Sequence, residues 1–517
     1  MRNTTLLSST FGILLLCTGC LPDSAVLSPN SFAPTTSDKY WTPREEPKLR
    51  RLFPVTYPEQ ESPLTLAELV DIALRNNTQT QLTWAQAREA AAKYGQSQSP
   101  LFPTATGVFN YEHLRIPIFI SPAFNPPGLQ TAPTPTNLQE VIYSQWGPAL
   151  QLSYQVLDFG QTRLTSLAAR EALYYADFTH NRAIQNVLQT ITLDYYSYLY
   201  QKQLLDAYQA DVETAKTTLQ SADQKLTSGV ADVSDVLQAT TDLMQKETLF
   251  VEQKQEVENA YATLLNDMGL PATFCFNVEG LPKDLPNEPM IKNVDDLLTL
   301  ALQERYDLKA GESDLKSKEY AVKAATQAFY PTVQFNFNIG RTYFTGGVHD
   351  NYDYIAALSL NFPLFSGFQT INNLRQARAK RDESSATLRQ KQLSIIKEIT
   401  TSHYNVKVSH QALTYADKYL KAAAKQYRVS LSKYKAGTAN IIDVISAQSF
   451  LSDARAKLAN GQQQWYTSLA TLAYATGIHT QNVVDSIVQP APAIRASTIE
   501  EVGYPKCSEH PNSEELP

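Results

Sequence analysis

The sequence predicts an α+β protein in which one structural unit is used twice, each copy supplying two β-strands followed by a long antiparallel helical hairpin. Three observations lead there. The first is self-similarity. Leu69-Val70-Asp71-Ile72-Ala73-Leu74 matches Leu297-Leu298-Thr299-Leu300-Ala301-Leu302 at an offset of 297 − 69 = 228, and the register holds to Leu101-Phe102-Pro103-Thr104 against Phe329-Tyr330-Pro331-Thr332. Further on the offset becomes 360 − 152 = 208 and stays there without a gap. It joins Leu152-Ser153-Tyr154-Gln155-Val156-Leu157 to Leu360-Asn361-Phe362-Pro363-Leu364-Phe365, Asp235-Val236-Leu237 to Asp443-Val444-Ile445, and Gly229 and Gly269 to Gly437 and Gly477. A unit this long is not a solenoid repeat of roughly 20 to 50 residues. The second observation is alternation: Val333, Phe335, Phe337 and Ile339 interleave with Gln334, Asn336 and Asn338. This makes a strand with one apolar and one amide-bearing face. The third is a pair of proline-free and glycine-free stretches, about Gln161 to Lys225 and about Gln369 to Lys433. Each reads as one helix roughly 100 Å long at about 1.5 Å per residue.

At the N-terminus, Arg2, the apolar run Leu6–Leu16 and the small residues Thr18-Gly19 before Cys20 have the layout of a secretory signal. The run is too short for a bilayer-spanning helix. Cys17-Thr18-Gly19-Cys20 could also be a redox or zinc pair, but neither a second ligand pair nor a folded context for a tuned thiolate accompanies it. The Thr-Gly-Cys resembles a bacterial lipobox, which implies residues 1–19 as a lipoprotein signal peptide and Cys20 as the diacylated first residue. Leu21 in the next position implies an outer-membrane anchor. Residues 20–61, rich in Pro, Ser and Thr, read as an extended tether.

The first repeat is expected over 62–270. Its opening helices stop at Pro103; strands follow at about 104–158 and the long hairpin at 161–268. Between the strands, the Pro-rich segment Ile116–Thr136 accounts for the 228 − 208 = 20 extra residues of this half and reads as an extracellular loop. A linker, 271–291, leads to the second repeat over 292–479, with strands at about 332–365 and the hairpin at 369–476. Glycines at the turns, Gly229 and Gly437, suit the left-handed residue that ends a helix. Residues 480–517, with Pro490, Pro492, Pro505 and Pro511, read as an irregular tail.

A net charge of −7 disfavours a nucleic-acid partner. Beyond the signal region only Cys275 and Cys507 remain, and two buried unpaired thiols are the ordinary expectation, a disulfide in an oxidising compartment the other. No HExxH, phosphate-binding glycine loop or Ser/His/Asp grouping can be nominated, so the chain is read as a non-enzyme without metal or cofactor beyond the lipid on Cys20. No apolar run of helix-spanning length follows the signal, so a bilayer would be crossed by strands. Four strands cannot close a barrel, since the smallest membrane barrels use about eight. Three copies would supply 3 × 4 = 12 strands, and a homotrimer is the smallest symmetric solution.

The duplicated order of strands and hairpin, the motif Leu360-Asn361-Phe362-Pro363-Leu364-Phe365-Ser366-Gly367 and the tip Tyr434-Lys435-Ala436-Gly437-Thr438-Ala439-Asn440-Ile441-Ile442-Asp443-Val444-Ile445 resemble the TolC-type outer membrane efflux proteins over about residues 62 to 480. The resemblance implies a trimeric channel, a twelve-stranded β-barrel continuous with a helical periplasmic tunnel, in the outer membrane. It implies export of drugs or secreted substrates together with a periplasmic adaptor and an inner-membrane pump. It also places a gate at the periplasmic tip, with Tyr434 helping to hold the coiled coil shut and Asp443 forming an acidic ring at the constriction. Adaptor docking would fall on the tips, at Gly229, Asp235, Gly437 and Thr438. Ala439 and Ser446 stand where the family pattern has an arginine and a second aspartate, implying one tether fewer and one acidic ring instead of two. The competing reading is a lipid-anchored trimeric coiled-coil stalk or adhesin without transport activity; sustained heptads and a head domain would mark it, in place of helices that fold back and strands duplicated in each half.

Overall fold

The computed structural model describes residues 63–119, 138–280, 293–345 and 351–477. The signal region with Cys20, the tether, most of the segment between the first two strands, and the tail with Cys507 lie outside the described residues.

Each half runs helix, helix, strand, strand, long helix, shorter helix. In the first half these are α1 (Leu66–Asn76), α2 (Thr78–Gln98), β1 (Thr104–Phe119), β2 (Leu138–Leu157), α3 (Gln161–Thr227) and α4 (Val233–Asp267). In the second they are α5 (Val294–Glu304), α6 (Tyr306–Gln327), β3 (Thr332–Phe344), β4 (Asn351–Asn361), α7 (Gln369–Lys435) and α8 (Ile441–Ala475). The long helices α3 and α7 have 67 residues each, and α4 and α8 have 35 each. Identical lengths in both halves follow from the gap-free offset of 208 between them. Among the described residues no helix is long and apolar enough to cross a membrane.

The strands form one antiparallel meander in the order β1-β2-β3-β4. Its register sorts the side chains as the alternation requires. Leu150 opposes Ile339, which opposes Tyr354, and Leu152 opposes Phe337; in the intervening rows Ser153 opposes Asn336 and Gln151 opposes Asn338. Directly opposed residues share a face, so one face is aliphatic and aromatic and the other amide and hydroxyl. On the polar face Ser153 Oγ donates to Asn336 Oδ1 at 3.0 Å. The apolar face is uncovered, with Phe109, Tyr111, Leu150, Tyr354, Leu358 and Leu360 exposed. Towards one end of the sheet Tyr111, Trp146 and Tyr343 oppose one another across three strands. Arg341 lies over the rings of Tyr343 and Tyr352 there. At the helix-proximal end a second set of exposed aromatics, Phe102, Phe159, Tyr330, Phe362, Phe365 and Phe368, surrounds the strand–helix junctions.

Two expectations for the strands need correction. The alternation that suggested a strand as far as Phe365 ends at Asn361. Pro363 has no N–H to continue a ladder, and Gly367 and Phe368, with φ of 60° and 64°, turn the chain into α7. The segment read as a loop from Ile116 instead continues β1 to Phe119, with Pro117 opposite Glu140. β1 is an edge strand, where a residue without an N–H is tolerated.

The helices pack in two tiers around α3 and α7. Near the sheet α3 packs against α2 and α6, and α6 against α7; towards the tips α3 packs against α4 and α8, and α8 against α7. The contacts between α7 and α8 are filled by Ile399, Val406, Leu413, Trp465 and Leu472, all buried. The outer helices keep apolar side chains in the open at heptad spacing: Leu237, Met244 and Val251 on α4, and Val408, Tyr415 and Val429 on α7. Cys275 departs from the buried thiol expected of it. It is exposed and disulfide-bonded.

Candidate functional site

The two hairpin tips come together at the end of the bundle far from the strands. Both are built by the same local chemistry. After α3 the Gly229 N–H bonds to the Leu226 carbonyl and the Val230 N–H to that of Lys225; after α7 the Gly437 and Thr438 N–H groups bond to Tyr434 and Lys433 in the same way. This pattern needs a left-handed residue, and Gly229 and Gly437 supply it with φ of 72° and 78°. Thr438 adds its hydroxyl to the Lys433 carbonyl at 3.2 Å. Gly229, Gly437 and Thr438 are all exposed.

The next helix starts differently in the two repeats. At α8, Asn440 caps the helix by accepting from the Asp443 N–H at 2.8 Å, and the Asp443 carboxylate accepts from the Asn440 N–H at 3.3 Å. Asp443, the residue expected at the constriction, is therefore an exposed member of a capping box. The spacing Asn-x-x-Asp carried that signal. At α4 the N-cap is Asp232, which makes no side-chain cap. The equivalent carboxylate, Asp235, is free to turn elsewhere.

It turns to Tyr434. The Tyr434 hydroxyl donates to Asp235 Oδ2 at 3.1 Å, joining the second hairpin to the first. Lys225 Nζ lies 4.0 Å from the centre of the same ring. Tyr434 is 1% exposed and packs with Ile441, Val444, Ala222 and Ala239. Burial, then the Asp235 carboxylate, pushes its phenol up to about 12, so the hydroxyl remains a donor throughout the neutral range. Because this shift is upward, the clasp is intact below the ordinary value of 10.0 and is lost only as the pH rises through about 12. Tyr434 and Asp235, named separately in the sequence, thus meet in one contact; Asp443 does not join it. Lys225 was missed, although it aligns with Lys433 at the offset of 208. Beside the clasp, Val233, Leu237, Ile442 and Ile445 line an open cleft between α4 and α8.

A polar-and-apolar meander carrying two long hairpins clasped at their tips narrows the comparison to one kind of protein. The family model described as outer membrane efflux protein matches residues 69–270 and 297–478, one stretch in each half. The chain belongs to the outer membrane efflux protein family. Among characterised members, Protein CyaE of Bordetella pertussis is 23% identical over 431 residues, covering 82% of this chain and 86% of that one. The solvent efflux pump outer membrane protein SrpC of Pseudomonas putida is 23% identical over 433 residues, covering 80% and 85%. The solved structure of the outer-membrane channel OprN superposes with a TM-score of 0.70 at 19% identity, over 80% of this chain and 89% of that one. The fold of this efflux family chain is therefore that of the outer-membrane channels, as its duplicated motifs implied.

Proposed function

We propose that this chain, as a homotrimer in the bacterial outer membrane, forms the exit channel of a tripartite efflux or type I secretion system and takes export substrates from a periplasmic adaptor and inner-membrane pump to the outside. The observation that supports it most is the sheet: among the described residues, four strands with one apolar face, one polar face and two edges without a partner strand, β1 and β4. An open edge is a liability unless another strand pairs with it, and pairing β1 of one copy with β4 of the next closes a barrel of 3 × 4 = 12 strands. The two sets of aromatics match the girdles of membrane barrels at the two water interfaces. The exposed heptad stripes on α4 and α7 would face each other across the same seam and extend it into the tunnel. The channel works without catalysis of its own, and energy comes from the pump.

Detergent-extracted protein should run at about three chain masses and give cation-selective pores in planar bilayers, since Asp443 places one carboxylate per chain at the tip. Asp443→Asn keeps a capping group but removes the charge; it should lower cation selectivity and weaken block by divalent cations. A monodisperse monomer without pores would sink the channel reading, and unchanged selectivity would remove Asp443 from the constriction. We further propose lipidation at Cys20, resting on Thr18-Gly19-Cys20 after an apolar run. Cys20→Ser should abolish labelling by a palmitate analogue while leaving pore formation intact; persistent labelling would contradict it.

A further inference from the structure

One heptad above the clasp, all four hairpin helices contribute a buried polar side chain to a single hydrogen-bonded line. From Tyr434, Lys225, Asp235 and Ile441 the step of seven residues leads to Tyr427 on α7, Thr218 on α3, Asp242 on α4 and Gln448 on α8. The Tyr427 and Thr218 hydroxyls are 3.4 Å apart, Thr218 Oγ1 donates to Gln448 Oε1 at 3.1 Å, and Gln448 Nε2 donates to Asp242 Oδ2 at 2.7 Å. Gln448 is 0% exposed and Thr218 1%. A further heptad up, Asp211 of α3 accepts from Arg455 and, at 2.5 Å, from Ser452, both on α8. Seven residues rise about 10 Å, so the polar layers stack on one side of the bundle at that spacing.

We propose that Tyr427, Thr218, Gln448 and Asp242 form a second latch between the two hairpins, which must part before the second hairpin can move off the first. The latch rests on the channel reading given above and adds to it a locking element distinct from the tip. Tyr434 and Asp235 can be separated by fraying of the last helical turn, whereas the line through Gln448 is broken only by sliding or separating whole helices. Moving α8 away leaves the Asp242 carboxylate without its donor in a buried site, and a buried carboxylate without a donor is costly. Within its own layer Asp242 has no cation. The charged or titratable groups around it are Asp211 on α3, Lys246 one turn further along α4, Tyr427 on α7 and Arg455 on α8. Burial raises the Asp242 carboxyl above its ordinary range, with Lys246 and the Gln448 bond opposing.

An exchange of partners tests the latch in planar bilayers with the full chain. Gln448→Glu sets a second carboxylate against that of Asp242, and it should raise the open fraction about tenfold at about pH 7.5. The rise should disappear near pH 5, where one proton can be shared between the two carboxyls. Asp242→Asn alone keeps an acceptor and should stay closed. The double variant Asp242→Asn with Gln448→Glu restores one amide donor and one carboxylate acceptor with their places exchanged, and should close again. Should Gln448→Glu fail to assemble, Thr218→Val, which removes the central hydroxyl at nearly constant volume, should still raise the open fraction about threefold. Wild-type conductance in Gln448→Glu or Thr218→Val, or a double variant as open as the single one, overturns the latch. Absence of pores from wild type and variants alike overturns the channel reading itself, and the latch with it.

Discussion

Replacing Arg305 by methionine should cost the fold about 3–5 kcal/mol, because it removes one partner from a buried ionic node. Arg305 links α5 to α6 and is 3% exposed. Its guanidinium meets Asp307 with two bonds of 3.0 and 2.7 Å, and its Nη1 donates at 2.8 Å both to Glu398 on α7 and to the Ala475 carbonyl at the end of α8. Burial disfavours the charge, yet the two carboxylates overcome it and raise the Arg305 pKa. Asp307 is likewise held below the usual carboxylate range, despite burial, by Arg305 and Arg182. Methionine would fill much of the space but leave Glu398 and the Ala475 carbonyl without the Arg305 donor, and Asp307 with Arg182, 3.9 Å away, as its remaining cation among the described residues. The melting midpoint of the helical signal in detergent should fall by roughly 5 °C or more. Arg305→Lys should recover only part of it, since an ammonium cannot make the paired contact to Asp307. A methionine variant melting within about 1 °C of wild type would mean that the node stabilises little.

The second large effect is expected at the clasp. Tyr434→Phe deletes a hydroxyl donating to a carboxylate, an interaction of about 1.5–3 kcal/mol. The ratio of closed to open tips should fall about tenfold to a hundredfold, seen as longer and more frequent openings in planar bilayers. Asp235→Asn keeps a neutral acceptor for the same hydroxyl and should give a smaller change. Equal conductance in wild type and Tyr434→Phe would place the clasp outside the gate.

Much of this was legible in the residues. Helices α3 and α7 were readable to within a few residues because nothing in them can break a helix, and the faces of the strands were readable because period-two alternation survives in β2 to β4. The strand end at Asn361 was obscured because Phe362, Leu364 and Phe365 keep the apolar rhythm after Pro363 has ended the ladder. The clasp was only half visible. Tyr434 and Asp235 are far apart in sequence, and the pattern around Asp235 is nearly the same as that around Asp443. What separates their roles appears only in the structure: Asn440 caps its helix and engages Asp443, whereas Asp232 makes no side-chain cap and Asp235 reaches across to Tyr434. The line through Thr218, Gln448 and Asp242 was invisible for a related reason: each residue is an ordinary polar position on its own helix, and only the packing of four helices makes the heptads coincide.

The joint between the two halves of the sheet bears on how the molecule is made. β2 pairs with β3 at separations running from 333 − 157 = 176 to 344 − 145 = 199 residues, with the whole of α3 and α4 in between. Closing so long a loop adds little to the equilibrium cost, since each doubling of length is worth only about 0.6 kcal/mol. Its effect falls on rate, because non-local strand pairing is slow. During synthesis and export, β1 and β2 can form their hairpin early, but the free side of β2 stays without a partner until the first long hairpin has emerged and β3 has followed it. For that interval a greasy strand edge is exposed to every other copy of the chain. Mutations that slow the first long hairpin should therefore reduce yield through aggregation before they measurably weaken the finished channel.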